Sequence, residues 1–243
     1  MHQKRLCTFA ANSNTNIMNN QVIIERLQSE AKRFLKETIL LLNGVFIQPK
    51  EIEVYYYKEG EFEDTSVHRN NLQKKNKNHF YVHRTGLKQT DKYKGGNRGG
   101  VDFVVSDSEI IYYSYLIRSA LIDNNLPVII GPHNVLESIL NHCKLDKEAL
   151  ESNPIKLVPN TDSCEVLFSE RINLGKKAGQ FSECKLRAVL CDDLFRTNKY
   201  PAKEKLVVNF LMDNVQTQKI TKEQAKEYAR QKLGYTPSII QKL

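Results

Sequence analysis

The chain has 243 residues, and 40% of them are hydrophobic, so it can bury a sizeable core and is not disordered as a whole. Its formal net charge of +8 favours a polyanionic partner, either a nucleic acid or an acidic membrane surface. No apolar run is long enough for a transmembrane helix or a signal peptide, and the five cysteines form no CxxC pair, which predicts reduced thiols in an intracellular compartment.

The first part of the chain predicts a tail, a helix and a hairpin. We expect residues 1–20 to form a flexible tail. Apolar residues at helical spacing predict a helix within residues 21–40. Residues 37–57 then predict two strands around a turn at Asn43-Gly44, a dipeptide that favours two-residue hairpin loops.

The middle of the chain alternates between a long polar segment and strongly β-prone runs. Residues 58–100 are polar and basic and lack apolar periodicity, which indicates a functional loop or disorder, with one short strand at residues 80–82. The β-prone runs cover residues 101–106 and 110–122. A glycine-proline pair at residues 131–132 then predicts a turn into a helix.

The last part of the chain predicts two further strands and then helices. The strands fall in residues 164–175 and 185–191. From about Pro201 the pattern is helical, and Thr221 with Gln224 has the spacing of a capping box.

The order of these elements predicts an α+β fold in which helices flank a mixed or antiparallel curved sheet. No internal repeat is evident. We expect one domain over residues 21–200, with residues 201–243 as a helical extension packed on it.

Acidic and aromatic side chains alternate along one predicted strand. Glu51, Glu53, Tyr55 and Tyr57 share one face, because alternate residues of a strand point to the same side. One interpretation is the polar outer face of an edge strand. The other is a carboxylate held beside aromatic rings, which can activate water, stabilise a cationic transition state or stack a flat ligand.

Other polar residues also allow a structural and a functional interpretation. His68 is either a surface histidine or a ligand-binding group, and Lys94 and Arg98, in a glycine-rich loop, are either solvated or in contact with phosphates. Arg118 interrupts an apolar strand and needs a buried carboxylate partner, for which Glu53 is the candidate. The histidine spacing matches no metal site, so no metal is expected.

Short motifs follow one another along residues 22–191 in a recognisable order. They are AKRFL (31–35), EIEVY (51–55), EDTSVH (63–68), FYVH (80–83), VDFV (101–104), LIRSAL (116–121), GPHNVL (131–136), RINLGKKA (171–178) and KLRAVL (185–190). This series resembles the alkylpurine (3-methyladenine) family of DNA glycosylases, in the type found in mammals and many bacteria. Each motif is short, so the resemblance depends on their collinearity.

The resemblance implies a role for each matched residue. Glu53 matches the catalytic carboxylate, which polarises a water for attack at C1′ and stabilises positive charge on the sugar. Tyr55 matches the tyrosine that stacks on the extruded base, and His68 matches the histidine that lies against that base. His83 stands where the family often has a second stacking aromatic residue, and Arg118 matches the arginine that helps to place the water.

Two features depart from the family pattern. Asp102 stands where the family has a pocket asparagine, and a carboxylate cannot donate a hydrogen bond unless it is protonated. An insertion follows the FYVH motif, so Tyr93 or Arg84 would have to serve as the wedge that enters the DNA stack. The residues expected to contact DNA are Arg69, Arg84, Tyr93, Lys94 and Arg98.

The resemblance further implies the glycosylase fold, which is similar to a formyltransferase C-terminal domain, and a monomer that acts on duplex DNA with damaged purines. It implies no metal, no organic cofactor and no membrane, and a cytoplasmic or nucleoid-associated protein. No lysine matches a Schiff-base nucleophile, so we expect hydrolysis without strand cleavage. The alternatives are a catalytically inactive nucleic-acid-binding protein on the same fold and an enzyme that acts on a nucleoside or another modified base.

Overall fold

The computed structural model describes the backbone of residues 3–243 and the side chains of residues 20–175 and 178–243. The helices are α1 (Gln3–Glu37), α2 (Leu72–Lys75), α3 (Pro132–Cys143), α4 (Lys147–Ser152), α5 (Lys203–Gln216), α6 (Lys222–Leu233) and α7 (Ser238–Gln241). The strands are β1 (Thr38–Leu42), β2 (Val45–Lys58), β3 (Phe62–Glu63), β4 (Phe80–Val82), β5 (Val101–Val104), β6 (Ile111–Ile122), β7 (Asn125–Ile130), β8 (Lys156–Pro159), β9 (Val166–Ser169) and β10 (Arg187–Leu190). Two 3₁₀ segments cover Gly96–Arg98 and Lys176–Ser182.

The N-terminal helix and hairpin organise the core. The predicted helix ends at Glu37, but α1 begins at Gln3, so it also covers residues 3–20 of the segment expected to be a flexible tail. The hairpin turn is at Asn43-Gly44 as predicted, because both residues adopt the positive φ that this tight turn requires. It sets the register in which Leu42 pairs with Val45.

The protein is a single-domain α+β fold whose sheet curls into an antiparallel half-barrel. The ladder runs β4-β5-β6-β2-β1-β8, while β10 lies against another stretch of β2 and pairs with β9. Every described strand pair is antiparallel, so the mixed sheet that the sequence allowed does not form. Glu53 lies in the middle of this arrangement, between Leu116 of β6 and Arg187 of β10.

Helix α1 covers one face of the sheet. Leu27, Ala31, Phe34 and Leu35 recur at helical spacing and are buried. The ring of Phe34 lies 5.1 Å from that of Phe103, which ties α1 to the sheet. The hydrophobic stripe predicted from the sequence is therefore the face that packs on the core.

The C-terminal helices form a second apolar cluster on the other face of β9 and β10. Ala188 and Leu190 belong to the first core, whereas Val189 and Cys191 pack against α5 to α7, as expected for a strand that is buried on both sides. The capping box of Thr221 is present as predicted. Within the described part of the chain, no helix combines the length and apolar character needed to cross a membrane.

Several sequence-based boundaries differ from the structure. Residues 171–175, predicted as the end of a strand, are irregular with a bend at Ile172 and Asn173, because Arg171 turns inward to pair with buried groups. Strands β7 and β8 were not predicted, since each contains a proline and exposed polar positions. The polar segment 58–100 contains β3, α2 and β4, and the short strand at residues 80–82 is confirmed.

Candidate functional site

A buried carboxylate on β2 forms the centre of the candidate site. Glu53 is only 1% exposed, although it lies on a strand that alternates acidic and aromatic residues. Its Oε1 accepts a hydrogen bond from the Ile172 backbone N–H at 2.7 Å, and its Oε2 accepts one from the Tyr55 hydroxyl at 3.0 Å. Arg118 Nη1 lies 3.3 Å from Oε1. The predicted pairing of Arg118 with Glu53 is confirmed.

The surroundings of Glu53 both destabilise and compensate its charge. Burial raises the pKa of the Glu53 carboxyl, while the positive charge of Arg118 and the hydrogen bond from Ile172 act in the opposite direction. The net direction is upward. A carboxylate with a raised pKa is a better proton acceptor than a solvated one, which suits a general base.

A second buried carboxylate, Glu51, orients the arginine. Its Oε1 accepts from Arg118 Nε at 3.1 Å and from Arg187 Nε at 2.7 Å. Arg187, only 1% exposed, also donates to the Ser169 hydroxyl and to the Pro201 carbonyl. Sequence reasoning missed Arg187, and the signal that could have found it is a second arginine inside an apolar strand, KLRAVL.

A second buried ion pair fixes the loop that carries Ile172. Arg171 Nη1 lies 2.6 Å from Asp64 Oδ2, both side chains are inaccessible, and the guanidinium lies 4.9 Å from the centre of the Tyr55 ring. Asp64 in turn accepts hydrogen bonds from the backbone N–H and the hydroxyl of Ser66. The pair therefore holds two loops against β2, one beside Glu53 and one beside the ring of Tyr55.

A small cavity of about 40 Å³ opens next to Tyr55. Its lining brings together four residues that were predicted for the base pocket and two that were not: Tyr55, His68, His83 and Asp102, with Ser66 and Gln73. The His68 and His83 rings meet edge to face with their centres 4.5 Å apart. Two larger surface grooves, of about 1030 and 800 Å³, are not lined by Glu53 or by these residues.

Asp102 accepts hydrogen bonds on both carboxylate oxygens. Oδ1 lies 2.7 Å from His83 Nε2, and Oδ2 accepts from the Ser114 hydroxyl at 2.7 Å and from Gln73 Nε2 at 3.0 Å. Burial alone would raise the pKa of Asp102, but the interactions with His83 and the other donors lower it. Asp102 is thus an ionised acceptor that orients His83, and it cannot take the donor role of an asparagine amide.

Lys94 lies against His68 at the edge of this cavity. Its Nζ is 2.8 Å from His68 Nε2, and His68 Nδ1 is 3.2 Å from the Tyr81 hydroxyl. Burial, together with the charges of His83 and Lys94, lowers the pKa of His68 to about 3, so the ring is neutral at pH 7. A neutral ring accepts a hydrogen bond from the Lys94 amine at Nε2 and donates to Tyr81 from Nδ1.

The residues predicted to contact DNA occupy different environments. Arg69 and Arg98 are exposed, and Lys94 is half-buried. Arg84 is only 6% exposed, forms an ion pair with Glu151 and stacks on the ring of Tyr93 at 4.0 Å. Arg84 therefore does not project from the surface as a wedge would, and half-buried Tyr93 is held by a hydrogen bond to Glu151.

The site combines a buried carboxylate, Glu53, which can accept a proton, with a small cavity lined by the aromatic rings of Tyr55, His68 and His83. Among the described side chains, no three histidine, cysteine or acidic groups converge as a metal site. The chemistry available is proton transfer and charge stabilisation by Glu53, aided by Arg118, next to groups that can stack on a flat ligand. No protein-family model matches the chain, and no curated protein matches it.

Proposed function

We propose that the protein is a DNA repair glycosylase of the alkylpurine type, which flips a modified purine from duplex DNA and hydrolyses its N-glycosidic bond with a water activated by Glu53. The observation that carries the proposal is the buried Glu53 carboxylate, bonded to the hydroxyl of the tyrosine whose ring lines the adjacent cavity. One hydrogen bond thereby joins the proton acceptor, Glu53, to the aromatic residue that would stack on an extruded nucleobase, an arrangement that suits base excision.

The environment of Glu53 suits the charge that develops in this reaction. Breaking a glycosidic bond gives the sugar oxocarbenium character, and a nearby carboxylate stabilises that charge. Tyr55 and Ile172 hold the two oxygens of Glu53 from different sides, so the carboxylate is already oriented before substrate binds. Arg118 lies beside Oε1, where it can orient the attacking water.

The cavity must open for a base to enter. A volume of about 40 Å³ holds a water molecule, not a purine. Lys94 contacts His68 at the edge of the cavity, and Gly96, in the turn that follows, has a positive φ that only glycine adopts freely. We expect this turn to move when DNA binds, while exposed Arg69 and Arg98 contact phosphates.

The architecture also supports the proposal. A curled antiparallel half-barrel with α1 packed on one face agrees with the glycosylase fold that the motif order implies. The candidate base, the arginine and the recess come from β2, β6 and the loops beside them, in the order that the resemblance predicts. We propose the same fold on these grounds, and a monomeric protein as the resemblance implies.

The decisive test is base release from defined duplex DNA. Labelled duplexes that carry one methylated or one deaminated adenine are incubated with the protein, treated with alkali and examined for strand breaks. We expect breaks with the wild type and none with Glu53→Gln, while Glu59→Gln, at an exposed position, behaves as the wild type. If wild type and Glu53→Gln both bind the duplex but release no base, the protein is a nucleic-acid-binding module.

A further inference from the structure

We infer that Lys94 is an amine nucleophile that forms a Schiff base with the sugar aldehyde of an abasic site and so cleaves the DNA strand. The inference rests on the proposed function, because base excision leaves an abasic sugar at this cavity. It adds a second activity that the motif order does not imply, since no motif aligns a lysine with the site.

The amine of Lys94 is fixed at the edge of the cavity. Nζ lies 2.8 Å from His68 Nε2, and His68 itself lines the cavity. The backbone N–H of Lys94 donates to the His83 carbonyl at 2.8 Å, so the residue is anchored beside the second ring of the recess. The amine thus lies next to the His68 ring, and the Lys94 backbone is bonded to the residue that carries the second ring of the recess.

Its environment favours the neutral, nucleophilic form. Burial lowers the pKa of the Lys94 ammonium, the charge of Arg98 acts in the same direction, and Asp102 opposes both. Lysines become effective Schiff-base nucleophiles when they are desolvated or placed beside another cation.

Lys92 provides a natural comparison in the same turn. It lies two residues away and carries the same functional group, but its side chain is exposed. No cavity residue is bonded to its amine in the described structure. A reaction that needs only a flexible surface lysine would use either residue, whereas a reaction at the cavity would use Lys94.

The chemistry closes without any other reagent. The neutral Lys94 amine attacks C1′ of the open-chain sugar aldehyde, and the carbinolamine loses water to give an iminium ion. Water takes the C2′ proton, the C3′–O bond breaks, and the 3′ phosphate leaves with the electron pair. Water then hydrolyses the conjugated imine and returns the lysine, so no oxidant or reductant is consumed.

The test uses a duplex that already contains one abasic site, so that base excision is not needed. Borohydride reduces the iminium and leaves a stable bond between protein and DNA. We expect a trapped adduct with the wild type, at least about tenfold less with Lys94→Arg, which keeps the positive charge, and a wild-type level with Lys92→Arg. Peptide mass mapping of the wild-type adduct should locate the bond at Lys94.

Each other outcome overturns the inference. An absent wild-type adduct, a full adduct with Lys94→Arg, or a bond that maps to another lysine all exclude Lys94 as the nucleophile. The proposed function fails separately: trapping on the abasic duplex without base release from the modified duplexes would leave Lys94 in its role and remove the glycosylase. Base release from the modified duplexes without a trapped adduct on the abasic duplex would support the glycosylase and exclude Lys94 as a nucleophile.

Discussion

Arg118 Nη1 lies 3.3 Å from Glu53 Oε1, and the same guanidinium donates from Nε to Glu51. The arginine therefore spans two buried carboxylates that are two residues apart on β2. Glu51 holds the Arg118 guanidinium in position. Because all three side chains are buried, the distance between Arg118 and Glu53 is set by packing in the core. Arg118 stabilises the charged form of Glu53 against burial, which raises the pKa of that carboxyl.

Replacing Arg118 should move the pH dependence of base release. The reaction needs ionised Glu53, so activity falls as pH drops through the pKa of Glu53, which is already raised. Arg118→Met removes the largest opposing influence, so we expect the acid limb of the single-turnover rate to move to higher pH, with a lower plateau. Arg230→Met, at an exposed position, should leave the profile in place. An unmoved acid limb would show that Glu53 does not act as the base.

The Tyr55 hydroxyl should affect rate more than base binding. Tyr55→Phe keeps the ring in the cavity but removes the donor to Glu53 Oε2, so one oxygen of the base is no longer held. Losing one oriented hydrogen bond at a reacting group costs about tenfold or more in rate. We expect single-turnover rates to fall by this order while affinity for the modified duplex stays near the wild type. Tyr57→Phe, two residues along β2, is the matched control, and an equal loss in both variants would contradict the role of Tyr55.

His68 should make the fold sensitive to acid. Burial and the charges of His83 and Lys94 lower the pKa of His68 from 6.5 to about 3, while Asp102 opposes the shift. His68 is protonated below pH 6.5 in the unfolded chain but only below about pH 3 in the folded chain. The free energy of unfolding therefore decreases as the pH falls from 6.5 towards 3. Between pH 7 and 5 the decrease is up to about 2 kcal/mol.

Denaturant unfolding at these two pH values, with His68→Gln beside the wild type, measures this contribution. Between pH 7 and 5 we expect His68→Gln to lose less unfolding free energy than the wild type does. His142→Gln, at an exposed position, should lose as much as the wild type. The stabilising contribution of Asp102, whose pKa is lowered, is retained over this range, because it disappears only below the ordinary aspartate value of 3.8. Equal losses in wild type and His68→Gln would mean that His68 is protonated in the folded protein.

The sequence predicted the parts of this fold that local patterns encode. Asn43-Gly44 identified the hairpin because a positive φ is a property of those residues, and the apolar run after Ile110 identified β6. The pairing of Arg118 with Glu53 was predictable, since a buried arginine needs an acidic partner. In each case one short stretch of chain contains the physical reason.

The parts that depend on register were not predictable. His83 meets Asp102 because Tyr81 of β4 lies opposite Asp102 of β5, which makes His83 its diagonal neighbour on the same face. Lys94, which contacts His68, lies in the irregular segment between β4 and β5. The periodicity of the sequence predicts neither contact. The role proposed for each of these residues depends on such contacts, which only the folded chain shows.

The buried Glu51–Arg187 pair should be a principal source of stability and should link the C-terminal helices to the site. Glu51→Gln leaves the Arg187 guanidinium, which is 1% exposed, without its carboxylate, and breaking one partner of a buried pair costs about 3–5 kcal/mol. We expect that loss in the free energy of unfolding, against less than about 0.5 kcal/mol for Glu63→Gln at an exposed position. The double variant Glu51→Gln with Arg187→Met should lose less than the sum of the single changes, because neither charge is then left alone. Additive losses would mean that the two side chains are stabilised independently, and that the Pro201 carbonyl, not Glu51, holds Arg187 in place.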